Sequence, residues 1–469
     1  MKQPNLIFVF ADQLRYFSCG YTGDKQAHTP NIDHLAGESV NLFNAVSGHP
    51  LCAPYRASLF TGKYSSSTGM VINELRIGTD HEEFGHVLTQ AGYQTAYIGK
   101  WHLWASQFGN HDDPANAYIP PGSYRLGFNG FWAGYNFHHS YYDSYYYKDT
   151  PERIHFKGYE PDIQTDLAMD WLQQASKGEG PFALFLSYGT PHDPWTEDNV
   201  PPQFLSLFDD SQFSLPENYL PENDSHGDSW AYMTSEDRAA IPHWLRVYYA
   251  MIANLDWNLG RLLQTLDASG QRDNTVIVFT SDHGEMFGAH GRQAKNIFYE
   301  EAIRVPFLIR WPARLSAGQQ NDMLLNAPDI MPTLLGLMGL PIPSAVEGAD
   351  LSHCLLGNCD SAPEAAFMQG MGCTALWEDG YEWRALRTKR FTYARYLSDG
   401  SELLFDNQSD PLQMHNLVGD PSYAEVLEHL RRQLQERMRE LKDEFQPCTW
   451  YCDHWTEDRK ILRTATSGS

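Results

Sequence analysis

Short, unbroken apolar runs punctuate the chain at residues 6–10, 95–98, 182–187, 276–280 and 305–309. A strand wetted on one face alternates apolar with polar residues, so runs of Val, Ile and Phe without alternation predict strands covered on both faces. Between them the pattern lengthens to the helical period, at 82–91, 165–174, a long stretch at 241–266 and 329–338. Each of these carries an apolar stripe that can cover a sheet face. The alternation predicts an α/β fold: a large, mainly parallel sheet sandwiched by helices.

After about residue 365 the pattern changes to paired short strands at 383–386 and 391–396, a third at 402–405, and a charged amphipathic helix from 423 to about 445. The expected organisation is therefore a large α/β domain over 1–365 and a small α+β C-terminal domain over 366–469. Residues 101–159 crowd aromatics with Gly and Pro, including Gly134-Tyr-Asn-Phe-His-His-Ser-Tyr-Tyr-Asp143. This segment is expected to be a long functional loop on the face of the molecule, with a satellite packing cluster as the alternative for any single tyrosine.

Composition narrows the partners. With 34 basic and 59 acidic side chains the 469-residue chain carries a formal charge of −25, which argues against nucleic acid. Hydrophobic residues at 42% with charged ones at 20% place it among folded proteins. Seven cysteines, at 19, 52, 354, 359, 373, 448 and 452, are too sparse for a disulfide-stapled scaffold, and their odd number leaves at least one free. No run reaches the roughly 18 apolar residues of a membrane span, and residues 1–5 lead directly into the first strand. The expectation is a cytoplasmic protein with no membrane partner, or a periplasmic or secreted one if a leader precedes Met1.

In open α/β sheets ligands bind at the carboxyl ends of the strands. There the sequence offers Asp12 and Gln13; Lys100 and His102; His192 and Asp193; and Asp282 and His283. Any one has a bland explanation as a helix cap or a hydrogen-bonded surface group. Packing does not demand all of them on one edge. Asp12, Gln13, Asp282 and His283 offer three oxygens and one nitrogen, a set that suits Ca²⁺ or Mn²⁺ better than Zn²⁺. The segment Leu51-Cys-Ala-Pro-Tyr-Arg-Ala-Ser-Leu-Phe-Thr-Gly62 places Cys52 at a helix start, Pro54 in the first turn and Arg56 within a turn of it. Helix terminus and guanidinium both favour negative charge beside Cys52. A buried structural cysteine and a thiolate nucleophile are the alternatives.

The pattern C-x-P-x-R followed by Ala-Ser and Thr-Gly resembles the signature of the type I sulfatases, the formylglycine-dependent branch of the alkaline-phosphatase-like superfamily. Pro4–Gln13, Thr29–Ala36, Gly99-Lys-Trp-His-Leu103, Ser281-Asp-His-Gly-Glu285 and Phe405–Leu417 resemble that family's remaining motifs, in its order. The resemblance implies that a maturation enzyme converts Cys52 to formylglycine. One hydroxyl of the hydrated aldehyde would attack sulfur and displace the alcohol; loss of the second hydroxyl's proton would then release sulfate. Carried over, Arg56 and Lys100 stabilise the hydrate and the sulfate, His102 takes that proton, and His192 and Lys295 bind sulfate and assist the leaving alcohol. Asp12, Gln13, Asp282, His283 and the Cys52-derived group would hold one divalent metal, calcium first and manganese as runner-up. Gln13 and His283 replace the commoner Asp and Asn, a variant similar to phosphonate monoester hydrolases and choline sulfatase-like members. Lys100 and His102 match the sulfatases, where those phosphonate hydrolases would carry Tyr and Thr.

The expected activity is therefore hydrolysis of a sulfate ester, of a short sulfated carbohydrate if the aromatics of 101–159 stack on sugar rings. An aryl or choline sulfate, or a phosphonate or phosphate diester, is the alternative. A homo-oligomer is compatible with this expectation. A binding module without catalysis would not need the complete residue set.

Overall fold

The computed structural model describes residues 3–359 and 361–467. Eight strands form the central sheet: β1 (Asn5–Ala11), β2 (Val40–Val46), β3 (Gln94–Lys100), β4 (Phe131–Tyr135), β5 (Phe182–Ser187), β6 (Thr275–Ser281), β7 (Phe307–Arg310) and β8 (Gln319–Asn326). Their order is β8-β2-β7-β6-β1-β5-β3-β4. Only β7 runs against its neighbours β6 and β2, so the sheet is mainly parallel as the apolar runs predict.

The central strands are buried throughout because helices cover both faces. Leu6, Phe8 and Phe10 join one core with α2 (Cys52–Thr61) and α5 (Ala327–Met338). Ile7, Val9 and Ala11 join the other with α1 (Pro30–Glu38), α3 (Glu160–Ala175) and α4 (Ser235–Ala268). α4 starts before the expected 241 because Thr234 and Asp237 form a capping box.

The registers bring the carboxyl ends level. Ala11 lies opposite Ser281, Phe10 opposite Ser187, and Ser187 opposite Gly99. The residues after β1, β3 and β6 therefore emerge side by side, about 4.8 Å per strand apart. Gly99 is needed there: its φ is +104°, and a Cβ would stand 1.9 Å from the Ser187 carbonyl oxygen.

Several strands depart from expectation. β8 begins with Gln-Gln-Asn-Asp, exposed except for a half-buried Asn321, because it is an edge strand. In β2, Asn41 and Asn44 interrupt the apolar run, and their amides bond sideways to Gln320 and to the Asp322 carbonyl of β8. β4 lies inside the aromatic stretch expected to be loop. The strand expected at 305–309 starts at Phe307, after Pro306, which has no N–H to give.

Beyond these, β9 (Ala365–Gly370), β10 (Trp383–Thr388), β11 (Phe391–Tyr396) and β12 (Glu402–Asp406) make an antiparallel sheet, backed by α6 (Ala424–Glu440). α6 stops short of 445, with Lys442 and Phe445 in the left-handed region. A tail continues from there: α7 (Cys448–Trp455) and a short hairpin, Thr456–Glu457 with Lys460–Ile461. Tyr451, Trp455 and Ile461 of this tail are buried in the core shared with β1 and α2. Cys354 and Cys359 form a disulfide, and the other five cysteines are free. No described helix is long and apolar enough to cross a membrane.

One buried guanidinium docks the small sheet. Arg387 of β10 grips Glu300 with two bonds, 3.0 and 3.1 Å, and donates to Asn44 of β2. Burial pushes the Glu300 carboxyl up, but Arg387 more than offsets it and holds the group below its ordinary value. That stabilisation is present above the unfolded carboxyl's pKa, about 4.3, and is lost as pH falls through the folded value. Arg387→Met should cost about 3–5 kcal/mol at pH 7 by stranding a buried charge, measured by guanidinium denaturation. The gap to wild type should narrow on acidification towards pH 4; a constant gap would place the loss elsewhere.

Candidate active site

Cys52 begins α2, all ten of whose residues are buried. Asn73 caps this helix, accepting from the Ala53 N–H at 3.0 Å. The Cys52 Sγ lies 3.2 Å from His283 Nε2 and 3.5 Å from Asp12 Oδ1. One turn on, Arg56 is wholly buried and directs its guanidinium behind the site. Nη1 donates to the Lys100 carbonyl and Ser187 Oγ, and Nη2 faces Asp12 and Asp282 at 3.1 and 3.4 Å.

Asp12, Cys52, Asp282 and His283 offer one donor atom each, all within 4.8 Å of one another. His283 gives Nδ1–H to the Gly284 carbonyl at 3.0 Å, which turns the Nε2 lone pair towards the cluster. Burial lowers its pKa to about 4, so the imidazole is neutral and able to ligate. Burial, joined by the charge of Asp12, raises Asp282. For Asp12 burial acts upward too, yet Lys100, His192, Arg56 and His283 hold it well below the carboxylate range. Two desolvated carboxylates facing a neutral imidazole and a thiol fit a divalent cation.

Gln13 stands beside this set with φ +69°, a conformation that costs a non-glycine residue energy and gathers at functional sites. Its N–H donates to Asp282, its amide nitrogen to Glu285 at 2.6 Å, and its amide oxygen accepts from Lys295 at 2.5 Å. An amide oxygen has two lone pairs, so one remains for a metal. Glu285 in turn accepts from the N–H groups of Phe287 and Ala294, fixing the loop that delivers Lys295.

Lys100 Nζ donates to Asp12 at 2.6 Å and lies over the Phe137 ring. Lys295 Nζ meets His192 Nε2 at 2.7 Å, while His192 Nδ1 pairs with Asp193 at 2.9 Å. Burial and Lys295 push the His192 pKa down, but Asp193 and Asp12 outweigh them and set it at about 8. A protonated His192 cannot accept from Lys295; two cations so close call for a shared anion. His102, at φ +60°, directs Nε2 to Glu74 Oε1 at 2.9 Å and stacks on Phe137.

The predicted residues thus converge; Glu285 supports them from behind, and Glu74 meets His102 at the cavity wall. Glu285 falls inside the Ser281–Glu285 motif, whereas nothing in the spacing around Glu74 marks it. A cavity of about 200 Å³ opens over Cys52, His102, His192 and Lys295, with Phe108, Phe137 and Trp230 among its walls. A larger one, about 670 Å³, lies beside the small sheet, but none of the strand-end groups lines it. The tyrosines of 134–147 do not reach the cavity: Tyr135, Tyr141, Tyr145 and Tyr147 are buried, and Tyr142 and Tyr146 pack against the core. Aromatic content there builds a wall from within, and Phe137 and His139 alone carry it to the pocket.

The sulfatase family model matches residues 4–340. The chain belongs to the sulfatase family. This sulfatase also matches the model of the C-terminal region of N-sulphoglucosamine sulphohydrolase over residues 288–440. It is 35% identical to an ulvan-active sulfatase of Formosa agariphila, covering 96% of this chain and 84% of that one. It is 29% identical to an N-acetylglucosamine-6-O-sulfatase of Bacteroides thetaiotaomicron, over 94% and 87% of the two chains. A solved structure in complex with its substrate, D-glucosamine-2-N,6-O-disulfate, superposes with a TM-score of 0.80 at 26% identity, over 94% of this sulfatase and 99% of that chain. Membership implies sulfate-ester hydrolysis with a divalent metal and formylglycine.

Removing one carboxylate from the donor set should therefore remove metal and turnover together. In Asp282→Ala, metal content by plasma mass spectrometry and the hydrolysis rate should each fall by at least about 10-fold. Retention of both would exclude Asp282 as a ligand.

Proposed function

We propose that this sulfatase acts on a short sulfated carbohydrate and that Cys52, matured to formylglycine, carries its nucleophile. The observation that carries the substrate assignment is the cavity over Cys52, cationic at its floor and ringed by Phe108, Phe137 and Trp230. Aromatic faces of this kind can cover the apolar side of a sugar ring. The relatives' substrates, ulvan and sulfated N-acetylglucosamine, point the same way. A net charge of −25 repels long polyanions, so the local cations favour short saccharides.

Bound by Asp12, Gln13, Asp282, His283 and the matured residue 52, the metal would be Ca²⁺, with Mn²⁺ the alternative, and would supply positive charge to the sulfate oxygens. Lys295 and protonated His192 would share a sulfate oxygen and give a proton to the departing alcohol. Lys100 would hold the charge opposite them. Arg56, enclosed by Asp12 and Asp282, would act on the carboxylates rather than on substrate. His102 would take its proton only after the alcohol has left.

Two measurements test this. On a panel of defined sulfated mono- and disaccharides, one should exceed an aryl sulfate in kcat/KM by at least about 100-fold. Phe108→Ala or Trp230→Ala should cut that value by about 10-fold while sparing the aryl ester. Equal efficiency on every ester would sink the carbohydrate assignment, and faster turnover of an aryl phosphonate would move the protein to the neighbouring reaction. In protein with the aldehyde at residue 52 verified by mass spectrometry, His102→Ala should release about one equivalent of alcohol quickly and then stall. A slowed burst would reassign His102 to the first step.

A further inference from the structure

Residues 441–467 lie beyond both family matches, yet they turn back onto the catalytic core. Their hairpin brings Arg459 under the Cys52 cavity. Its Nη1 donates to the carbonyls of Glu74 and Asn73 at 3.0 and 3.4 Å, and its Nη2 to that of Ala375 at 2.7 Å. Backbone bonds complete the seam: Arg76 N–H to the Arg459 carbonyl at 2.9 Å, and Ile461 N–H to the Arg76 carbonyl at 3.0 Å. Held between them, Glu74 has φ +61°, which an unrestrained glutamate avoids by about 1–2 kcal/mol.

We propose that Glu74 is the positioning residue for His102 and that the C-terminal tail fixes it through Arg459. This rests on the assignment of His102 as the proton acceptor. Glu74 Oε1 lies 2.9 Å from His102 Nε2, while His102 Nδ1 is buried with no protein partner. A carboxylate that accepts Nε2–H leaves Nδ1 as the nitrogen with the lone pair. His102 lines the cavity together with Cys52, and Phe137, stacked at 4.5 Å and 18°, keeps the ring from turning. When Nδ1 accepts the proton of the second step, Nε2–H stays on Glu74, whose negative charge then faces an imidazolium. Burial lifts Glu74 to about 7 in spite of Arg459 and Lys100, so it gains from such a cation.

The tautomer is read without turnover, by ¹⁵N-histidine NMR of the unconverted Cys52 protein. His102 should carry its proton on Nε2 in wild type and lose that fixed state in Glu74→Ala and in Arg459→Ala. In converted protein, Glu74→Ala should keep a full alcohol burst and slow the steady state by about 10- to 100-fold. The near-isosteric Glu74→Gln, which keeps an acceptor but not the charge and is less demanding to fold, should lose less. His102→Ala/Glu74→Ala should be no slower than His102→Ala alone. An unchanged His102 signal in Glu74→Ala overturns the positioning role, and an unchanged one in Arg459→Ala overturns the part given to the tail. A fixed tautomer lost with a slowed burst would leave Glu74 in place and refute His102 as the later acceptor instead.

Discussion

A carboxylate stripped of water at the end of a central strand governs this molecule. Asp12 is fully buried, and burial alone would drive it to its neutral form. Lys100 at 2.6 Å and Arg56 at 3.1 Å keep it charged. Both cations are buried as well, so each needs Asp12 as much as it needs them. The parallel registers of β1, β3 and β6 let this exchange happen within one residue of the sheet edge. Chemistry and architecture thus share the same charges.

Around that centre the protein uses supporting side chains, of which Asn73 and Glu74 also line the cavity. Arg56 is braced by the Lys100 carbonyl and Ser187, and Glu285 holds Gln13 together with the loop that ends in Lys295. Asn73 caps the Cys52 helix and Glu74, its neighbour, meets His102. Left-handed backbone at Gln13, Glu74 and His102 marks where side-chain direction is set at the cost of local strain.

Much of this is legible in the chain because burial writes itself into composition. β1, β5 and β6, covered on both faces, are unbroken apolar runs, and the residues just after β1 and β6 fall at the site. β8 is not legible, since an edge strand pairs on one side and tolerates the polar start it has. Aromatic content in 134–147 suggests a platform for sugar rings, whereas most of those side chains point inward; composition does not record direction. Glu74 leaves no trace either. Its position depends on a hairpin about 385 residues away, and no periodicity spans that distance.

That distance matters for assembly. Contacts between residues close in sequence form early, and those joining remote segments close late because the intervening chain must first be ordered. Arg76 and Arg459 lie far apart along the polypeptide, and their seam backs Asn73 and Glu74, which line the pocket. The two apolar cores can gather while this seam is still open. A chain interrupted a few residues before this hairpin would thus hold its sheet and its buried charges, but with the Asn73–Glu74 side of the chamber left without its backing.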